Sequence, residues 1–160
     1  MSITTGPGED ALTLLAQVEG LLDKLHTAPL WQLGNTQTLE LVKAVTVVTA
    51  KVASVWLAAV REVDARGTAT ADGASSTAGW LQGHCRERPG AARRTVALAR
   101  ALSDRYLGVG VDLAGGLISV DHAAVVVRLL DALPTRSTRP PGPPPRSTCW
   151  PGPGPWTPPT

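Results

Sequence analysis

A long run of apolar residues, spaced alternately four and three apart, constrains the fold of this chain more than any other feature. Its first row consists of Leu41, Val45, Val48, Val52, Val55 and Ala59. A second row beside it consists of Val42, Thr49, Trp56 and Val63. Because both rows keep helical spacing and the period of two that a strand needs is absent, they predict a helix with one broad apolar side. With Asn35 or Thr36 as the cap and Gly67 as the terminator, about 30 residues make a rod of roughly 45 Å.

A rod of this length usually forms the spine of a helical bundle or the seam of a dimer. The apolar rows suit either a core or an exposed seam, and the sequence does not separate the two. The chain has no Phe and only 4% aromatic residues, so its core must consist of Ala, Val and Leu. Such small side chains favour close packing of helix on helix. The predicted fold class is therefore all-α, a helical bundle with one long central helix.

Shorter helices are predicted on both sides of the rod. Residues 10–26 carry apolar residues at steps of three and four, and Asp10 is the expected N-cap. Residues 67–76 are polar and contain glycine, so they predict a loop. Residues 77–85 and 90–103 predict two helices whose join resembles a helix-turn-helix in its spacing, with Pro89 in the first turn of the second. Residues 106–116 predict one short helix, and Ser119 caps a last helix that ends at Pro134.

These elements divide the chain into three parts. We predict a flexible N-terminus at residues 1–9, a helical domain at 10–134 and a disordered tail rich in Pro and Gly at 135–160. Residues 136–160 hold ten of the fourteen prolines and no Ala, Val, Leu or Ile, so they cannot join a core. One interpretation of the tail is a polyproline ligand for an adaptor function. The other is a frameshift between about Pro134 and Ser147, because the codons of residues 149–151 read Leu-Ala in a displaced frame.

Charge is unevenly distributed along the chain. The formal net charge is +2, and the tail supplies +3 of it, so the remainder is −1 and gives no global case for nucleic-acid binding. Residues 84–108 nevertheless carry six arginines against two acidic residues. The candidates for contact with DNA phosphates are Arg86, Arg88, Arg93, Arg94 and Arg100. A solvated helix face explains these arginines equally well.

Few residues are candidates for catalysis or metal binding. His26, His84 and His122 fall in separate predicted elements, and His122 suits a packing or capping role. Cys85 and Cys149 are expected to be reduced thiols. We therefore predict no metal, no cofactor and no small-molecule substrate in this chain. Residues 1–10 lack the pattern of a signal peptide and no uncharged stretch approaches the roughly 18 residues of a membrane span, so we expect a cytoplasmic protein without membrane contact.

Several short motifs, taken in order, resemble one known family. They are Val63-Asp64-Ala65-Arg66-Gly67, Ala78-Gly79-Trp80-Leu81, Ala91-Ala92-Arg93-Arg94, Leu98-Ala99-Arg100-Ala101-Leu102, Gly116-Leu117-Ile118-Ser119-Val120-Asp121-His122-Ala123 and Leu133-Pro134. Over roughly residues 10–134 the chain resembles the domain of unknown function 222 family. The resemblance implies a two-part repeat protein of high-GC actinobacteria, with this helical region in front and an HNH nuclease module at the carboxyl end.

An HNH site needs a His that activates water and further His, Asn or Asp ligands around a divalent metal. This chain offers no such set, so the resemblance implies a truncated, non-catalytic module whose metal belongs to the missing nuclease module. We expect it to position or regulate that nuclease, or to join its protomers as a homodimer through the long helix. The alternative is a stand-alone DNA-binding helical protein that uses residues 84–105.

Overall fold

The computed structural model describes the backbone of residues 7–133 and the side chains from Asp10 onward. Within this range the chain is all-α, as predicted, with no strand. The helices are α1 Pro7–His26, α2 Asn35–Arg66, α3 Thr68–Ala71, α4 Thr77–His84, α5 Pro89–Asp104, α6 Leu107–Gly115 and α7 Val120–Ala132, and a 3₁₀ turn Leu30–Gln32 lies between α1 and α2. Residues 1–6, the stop at Pro134, the tail and the suspected frameshift lie outside the described residues.

The long helix α2 confirms the main prediction, with a difference at its start. Its N-cap is Gly34, not Asn35 or Thr36, and the Gly34 N–H donates to Gln37 Oε1 at 3.1 Å. The Gln37 side chain, three residues into the helix, thus accepts a hydrogen bond from a backbone N–H that has no partner within the helix. At the other end Gly67 has a φ of 64°, and its N–H donates to carbonyls of the last turn, as expected of a helix terminator.

Two boundaries differ from the prediction near the amino terminus and after α2. Helix α1 begins at Pro7 rather than after Asp10, because a proline fits the first turn, where its missing N–H is not needed. Residues 67–76 were predicted to be a loop, but they contain the short helix α3. Its first turn closes where Thr70 N–H donates to Gly67 O at 3.0 Å, and Ala69 is buried.

The remaining helix boundaries agree with the sequence within a residue or two. Ser76 caps α4 by accepting from Gly79 N–H at 3.1 Å, and Pro89 is the first residue of α5. Helix α6 ends at Gly116, whose φ is 76°. Ser119 caps α7 by accepting from His122 N–H at 3.3 Å, as predicted.

The core lies around α5, which packs against α2, α4, α6 and α7. It consists mainly of small residues, as the absence of Phe requires. Its buried members are Ala50, Leu57, Val60, Leu81, Ala92, Val96, Ala99, Ala101, Leu102, Leu113, Ala123 and Val127. We call these helices, together with the part of α2 from Ala50 to Arg66, the helical body. Alanines at the crossings let the helix axes approach closely.

Helix α2 turns an unexpected side toward this core. Its buried residues are Ala50, Leu57 and Val60, whereas most of the first row is exposed to solvent. At 100° per residue, Ala50 and Leu57 lie on the opposite side of the helix from Val48 and Val55. The apolar rows are therefore not the side of α2 that packs into the core.

Candidate functional site

The first row forms an apolar stripe on the outside of the molecule. The side chains of Val45 and Val48 are each 43% exposed, Val52 is 46% exposed and Val55 is 65% exposed. Leu41, at the start of the row, is half-buried. Exposed valines are ordinary when they occur singly, whereas a continuous exposed stripe on one helix is typical of surfaces that contact another protein or a membrane.

The second row widens this stripe on one side. Val42, Thr49 and Trp56 are exposed, and Val63 is half-buried where the helix enters the body. A groove of about 400 Å³ runs between this row and the start of α7. Its lining is mainly apolar and comprises Leu41, Val42, Val45, Thr46, Thr49, Ala50, Ala53, Ser119, Val120 and Asp121. We call the two rows together with this groove the outer face of α2.

Helix α1 presents a second apolar side. Its leucines and valine recur at helical spacing, and all of them are exposed: Leu12, Leu14, Leu15, Val18, Leu21, Leu22 and Leu25. None of the helix pairs that pack extensively within the described chain includes α1. The amino-terminal part of the molecule therefore carries two apolar helix surfaces that residues 7–133 leave uncovered.

Helix α2 is also the one helix among residues 7–133 that is long and apolar enough to cross a membrane. The mean hydropathy of its most apolar 18-residue window is 1.6, and 11% of that window is buried. The helix contains Lys43 and Lys51 on its exposed surface. Its carboxyl-terminal part packs against α5 and α6 in the helical body.

The arginines predicted from the sequence gather around the corner between α4 and α5. Arg86 lies in the turn with a φ of 56°, Arg88 precedes α5, and Arg93 and Arg94 lie on α5. All four are exposed, and within the described part of the chain none of them forms an ion pair. We call these four residues the arginine cluster.

Arg100, the fifth predicted residue, binds Asp64 of α2 and lines one pocket of about 370 Å³ together with Arg93 of the cluster. Arg100 Nε and Nη2 donate to the two carboxylate oxygens of Asp64 at 2.6 and 2.7 Å. Thr77 Oγ1 donates to the same carboxylate at 3.0 Å. The Arg100 guanidinium lowers the pKa of Asp64 below its ordinary value, and Asp64 in turn raises the pKa of Arg100. Through the contacts of Asp64 with Arg100 and Thr77, this carboxylate connects α2, α4 and α5.

Other charged groups also connect helices. Arg61 on α2 donates to Asp104 at the end of α5 at 3.0 Å. Arg105 and Tyr106 both reach Asp131 on α7, with the Tyr106 hydroxyl donating at 2.7 Å. Sequence reasoning missed these contacts because each joins residues at least 25 positions apart in the chain, and no local pattern links them.

The histidines and the described cysteine occupy separate places. The His84 ring stacks on Trp80 with 4.8 Å between ring centroids, and Trp80 Nε1 donates to Asp72 at 2.8 Å. His122 Nδ1 lies 2.7 Å from Ser119 Oγ, which supports the predicted capping role. Cys85 is exposed and free. Within residues 7–133 no three His, Cys, Asp or Glu residues are grouped so that they could hold a metal ion.

Comparison with known proteins gives one match. The sequence model of a family described as Domain of unknown function (DUF222) matches residues 39–140, which begin in the first turns of α2 and include α3 to α7. No curated protein and no solved structure matches the chain. The matched range contains most of the outer face of α2 and all five predicted arginines, and it leaves α1 outside.

Proposed function

Because the chain belongs to the domain of unknown function 222 family, we propose that it is the non-catalytic helical module of an HNH-endonuclease-like protein of actinobacterial origin. In this proposal the module acts in the cytoplasm. It joins or positions the nuclease part and does not itself cleave nucleic acid. The nuclease site and its divalent metal belong to the other part of the intact protein.

The observation that carries the proposal is the exposed outer face of α2. Helix α2 has 32 residues; one of its sides packs into the core, and a second, apolar side is exposed to solvent. Exposed apolar surface of this extent is costly in water, so its presence favours a role in which another surface covers it. Association therefore explains the outer face, whereas catalysis within this chain leaves it without a use.

The charged residues of the helical body support the same conclusion. Asp64, Arg61 and Arg100 form one network, and Arg105, Tyr106 and Asp131 form another. Each network connects helices that are distant in sequence. These groups therefore have a structural use, which is to fix the arrangement of the helices that carry the outer face.

The genomic locus tests the nuclease connection. Reading the source genome from about codon 120 through several hundred bases downstream is expected to find a frame that encodes an HNH motif. In parallel, the purified chain incubated with supercoiled plasmid and Mg²⁺ or Mn²⁺ is expected to give no more nicking than buffer with the same metal. A locus without an HNH frame, or metal-dependent nicking that co-purifies with the chain, would contradict the proposal.

A second candidate function is DNA binding, and the arginine cluster favours it. Four exposed arginines without ion pairs in the described chain surround one helix corner, where they can approach phosphates. In this interpretation Arg100 contributes less than the other four, because Asp64 already binds its guanidinium.

Fluorescence anisotropy with a labelled duplex at several salt concentrations tests this second candidate. If the cluster binds DNA, affinity falls steeply with salt, and Arg93→Ala/Arg94→Ala both weakens binding and reduces the salt slope by about two. The matched control is Lys24→Ala/Arg66→Ala, which removes the same charge from exposed residues outside the cluster. Equal losses in both double variants would mean that only net charge matters.

A further inference from the structure

We propose that two copies of this chain associate along the outer face of α2, with α1 of each copy completing a four-helix bundle. The inference rests on the proposed association function and names its partner, a second copy. In this arrangement the first rows of the two α2 helices pack together, and the two α1 helices cover the second rows and the grooves beside them.

The spacing of the first row is that of a coiled-coil seam. Alternating steps of four and three from residue 41 to residue 59 place Val45, Val52 and Ala59 at a positions and Leu41, Val48 and Val55 at d positions of a heptad repeat. The repeat holds without interruption for nearly three heptads. The d positions Val48 and Val55 are β-branched like the a positions, a pattern that favours more than two helices and agrees with a four-helix bundle.

The same heptad positions show that the a and d residues are not the ones that pack into the core of the chain. Ala50 and Leu57 occupy f positions, opposite the a and d residues, and they are the ones buried in the core. A helix with apolar residues on two opposite sides requires a partner on each side. The helical body supplies one partner, and within the described chain no element covers the other.

The area available is sufficient for a stable dimer. The exposed apolar side chains of α1 and the outer face together present on the order of 1,000 Å² per chain, which is comparable with the ~800 Å² per partner of stable interfaces. In a twofold dimer the same surface of each copy is buried, so one interface covers the outer face of both chains.

The second row explains why α1 belongs to the assembly. Val42, Thr49 and Trp56 occupy e positions, so the apolar side of α2 spans a, d and e. That width is typical of a helix in a bundle and exceeds a two-stranded seam. A further helix with an apolar side is needed at the flank, and α1 has such a side with Leu15, Leu22 and neighbouring residues exposed.

Charge also favours a protein partner of this kind. Residues 10–26 carry three acidic groups and one lysine, a net of −2, whereas residues 35–58 carry two lysines and one glutamate, a net of +1. The two helices are therefore electrostatically complementary. An amphipathic helix for an anionic membrane surface would instead be rich in Lys and Arg.

Sedimentation velocity and light scattering on the full 160-residue chain test the proposal. We expect a dimer at micromolar concentration, and a monomer for Val48→Glu/Val55→Glu. Because both valines are exposed in the single chain, circular dichroism and thermal unfolding should show that the body stays helical. The milder Val48→Ala/Val55→Ala raises the helix propensity of α2 and should weaken dimerisation at least tenfold. This variant keeps the test valid if the glutamate variant unfolds.

Two further variants separate the parts of the interface. Leu15→Glu/Leu22→Glu in α1 should weaken the dimer at least tenfold, whereas the matched control Leu117→Glu/Leu129→Glu, at exposed leucines outside both helices, should leave it unchanged. A wild-type chain that is monomeric, a dimer insensitive to the α2 variants, or a monomer that instead binds phosphatidylcholine/phosphatidylglycerol vesicles would overturn the proposal. None of these outcomes bears on whether the locus encodes an HNH module, so the two proposals can fail separately.

Discussion

Two parts of this molecule both carry apolar residues at regular helical spacing, but they use them in opposite ways. In the helical body, α4 to α7 and the end of α2 bury their apolar sides against one another. In α1 and along the outer face of α2, equally regular apolar sides remain in solvent. Helical periodicity therefore identifies which side of a helix is apolar, but whether that side is internal depends on what the rest of the chain brings to it.

The largest effect is expected from shortening a leucine in the body. Leu113 is 0% exposed, so Leu113→Ala should remove its contacts, leave a cavity and lower the free energy of unfolding by about 2 to 5 kcal/mol. The matched variant is Leu39→Ala, at a leucine of α2 that is 64% exposed, with an expected loss of about 0.5 kcal/mol or less. Urea unfolding followed by circular dichroism compares the two, and similar losses would mean that the two parts do not differ as described.

Gly116, between α6 and α7, tests how closely the helical body packs against the amino-terminal part of α2. Gly116 has a φ of 76°, and a Cβ there would lie 2.6 Å from Val47 Cγ1 and 3.2 Å from Val47 O. Because the left-handed conformation and the close approach both penalise a side chain, Gly116→Ala should cost about 2 to 3 kcal/mol.

The control for this variant is Gly108→Ala in α6, where a Cβ would meet nothing within 4 Å. Alanine favours a helix over glycine by up to ~1 kcal/mol, so this variant should be neutral or stabilising. Thermal unfolding of both variants provides the measurement. Equal destabilisation at the two glycines would show that the approach to Val47 is not a constraint.

The sequence was sufficient to predict most of the helices because their signals are local. Gly67 and Gly116 end helices, Ser119 begins one, and Pro89 is a first-turn residue. These effects depend on residues within one turn of each other. The short helix α3 was missed because its four residues have neither periodicity nor a capping side chain.

The orientation of α2 could not be predicted for a physical reason. The buried side of α2 contains Ala50 and Leu57 and is less apolar than the outer face, which a hydrophobicity argument would have placed inside. Small side chains allow α5 and α6 to approach, and that gain depends on residues far away in sequence. The arginines are close in sequence, which is why a local pattern identified them, but the binding of Arg100 by Asp64 depends on a tertiary contact between residues 36 positions apart.

The Asp64 network should have an intermediate effect that depends on pH. Asp64→Asn removes the charge that binds Arg100 and should cost about 1 to 2 kcal/mol near neutral pH, a value reduced from that of a buried pair because Arg100 is more than half exposed. The pKa of Asp64 is lowered in the folded chain. Its contribution is therefore fully present above the unfolded pKa of about 3.9 and is lost as the pH falls through the folded value.

Unfolding measured from pH 6 downward should then show the difference between wild type and Asp64→Asn narrowing below about pH 4. The control is Asp112→Asn, since Asp112 is exposed and forms no ion pair within residues 7–133. A difference that stays constant through the acid range would mean that the carboxylate charge of Asp64 is not what stabilises the junction.

The smallest effect is expected at the junction of α5 and α7, where it can be observed by spectroscopy. Tyr106 is the only tyrosine of the chain, and the hydrogen bond from its hydroxyl to Asp131 raises the pKa of the phenol above its ordinary value of 10.0. This contact contributes stability below the unfolded pKa and loses it as the pH rises through the folded value. Titration of phenolate absorbance should give a lower midpoint in Asp131→Asn than in wild type, with Asp112→Asn unchanged. Identical midpoints in wild type and Asp131→Asn would show that the bond from Tyr106 to Asp131 does not hold α7 against the end of α5. The helices at this edge of the body would then be less firmly packed than those at its centre.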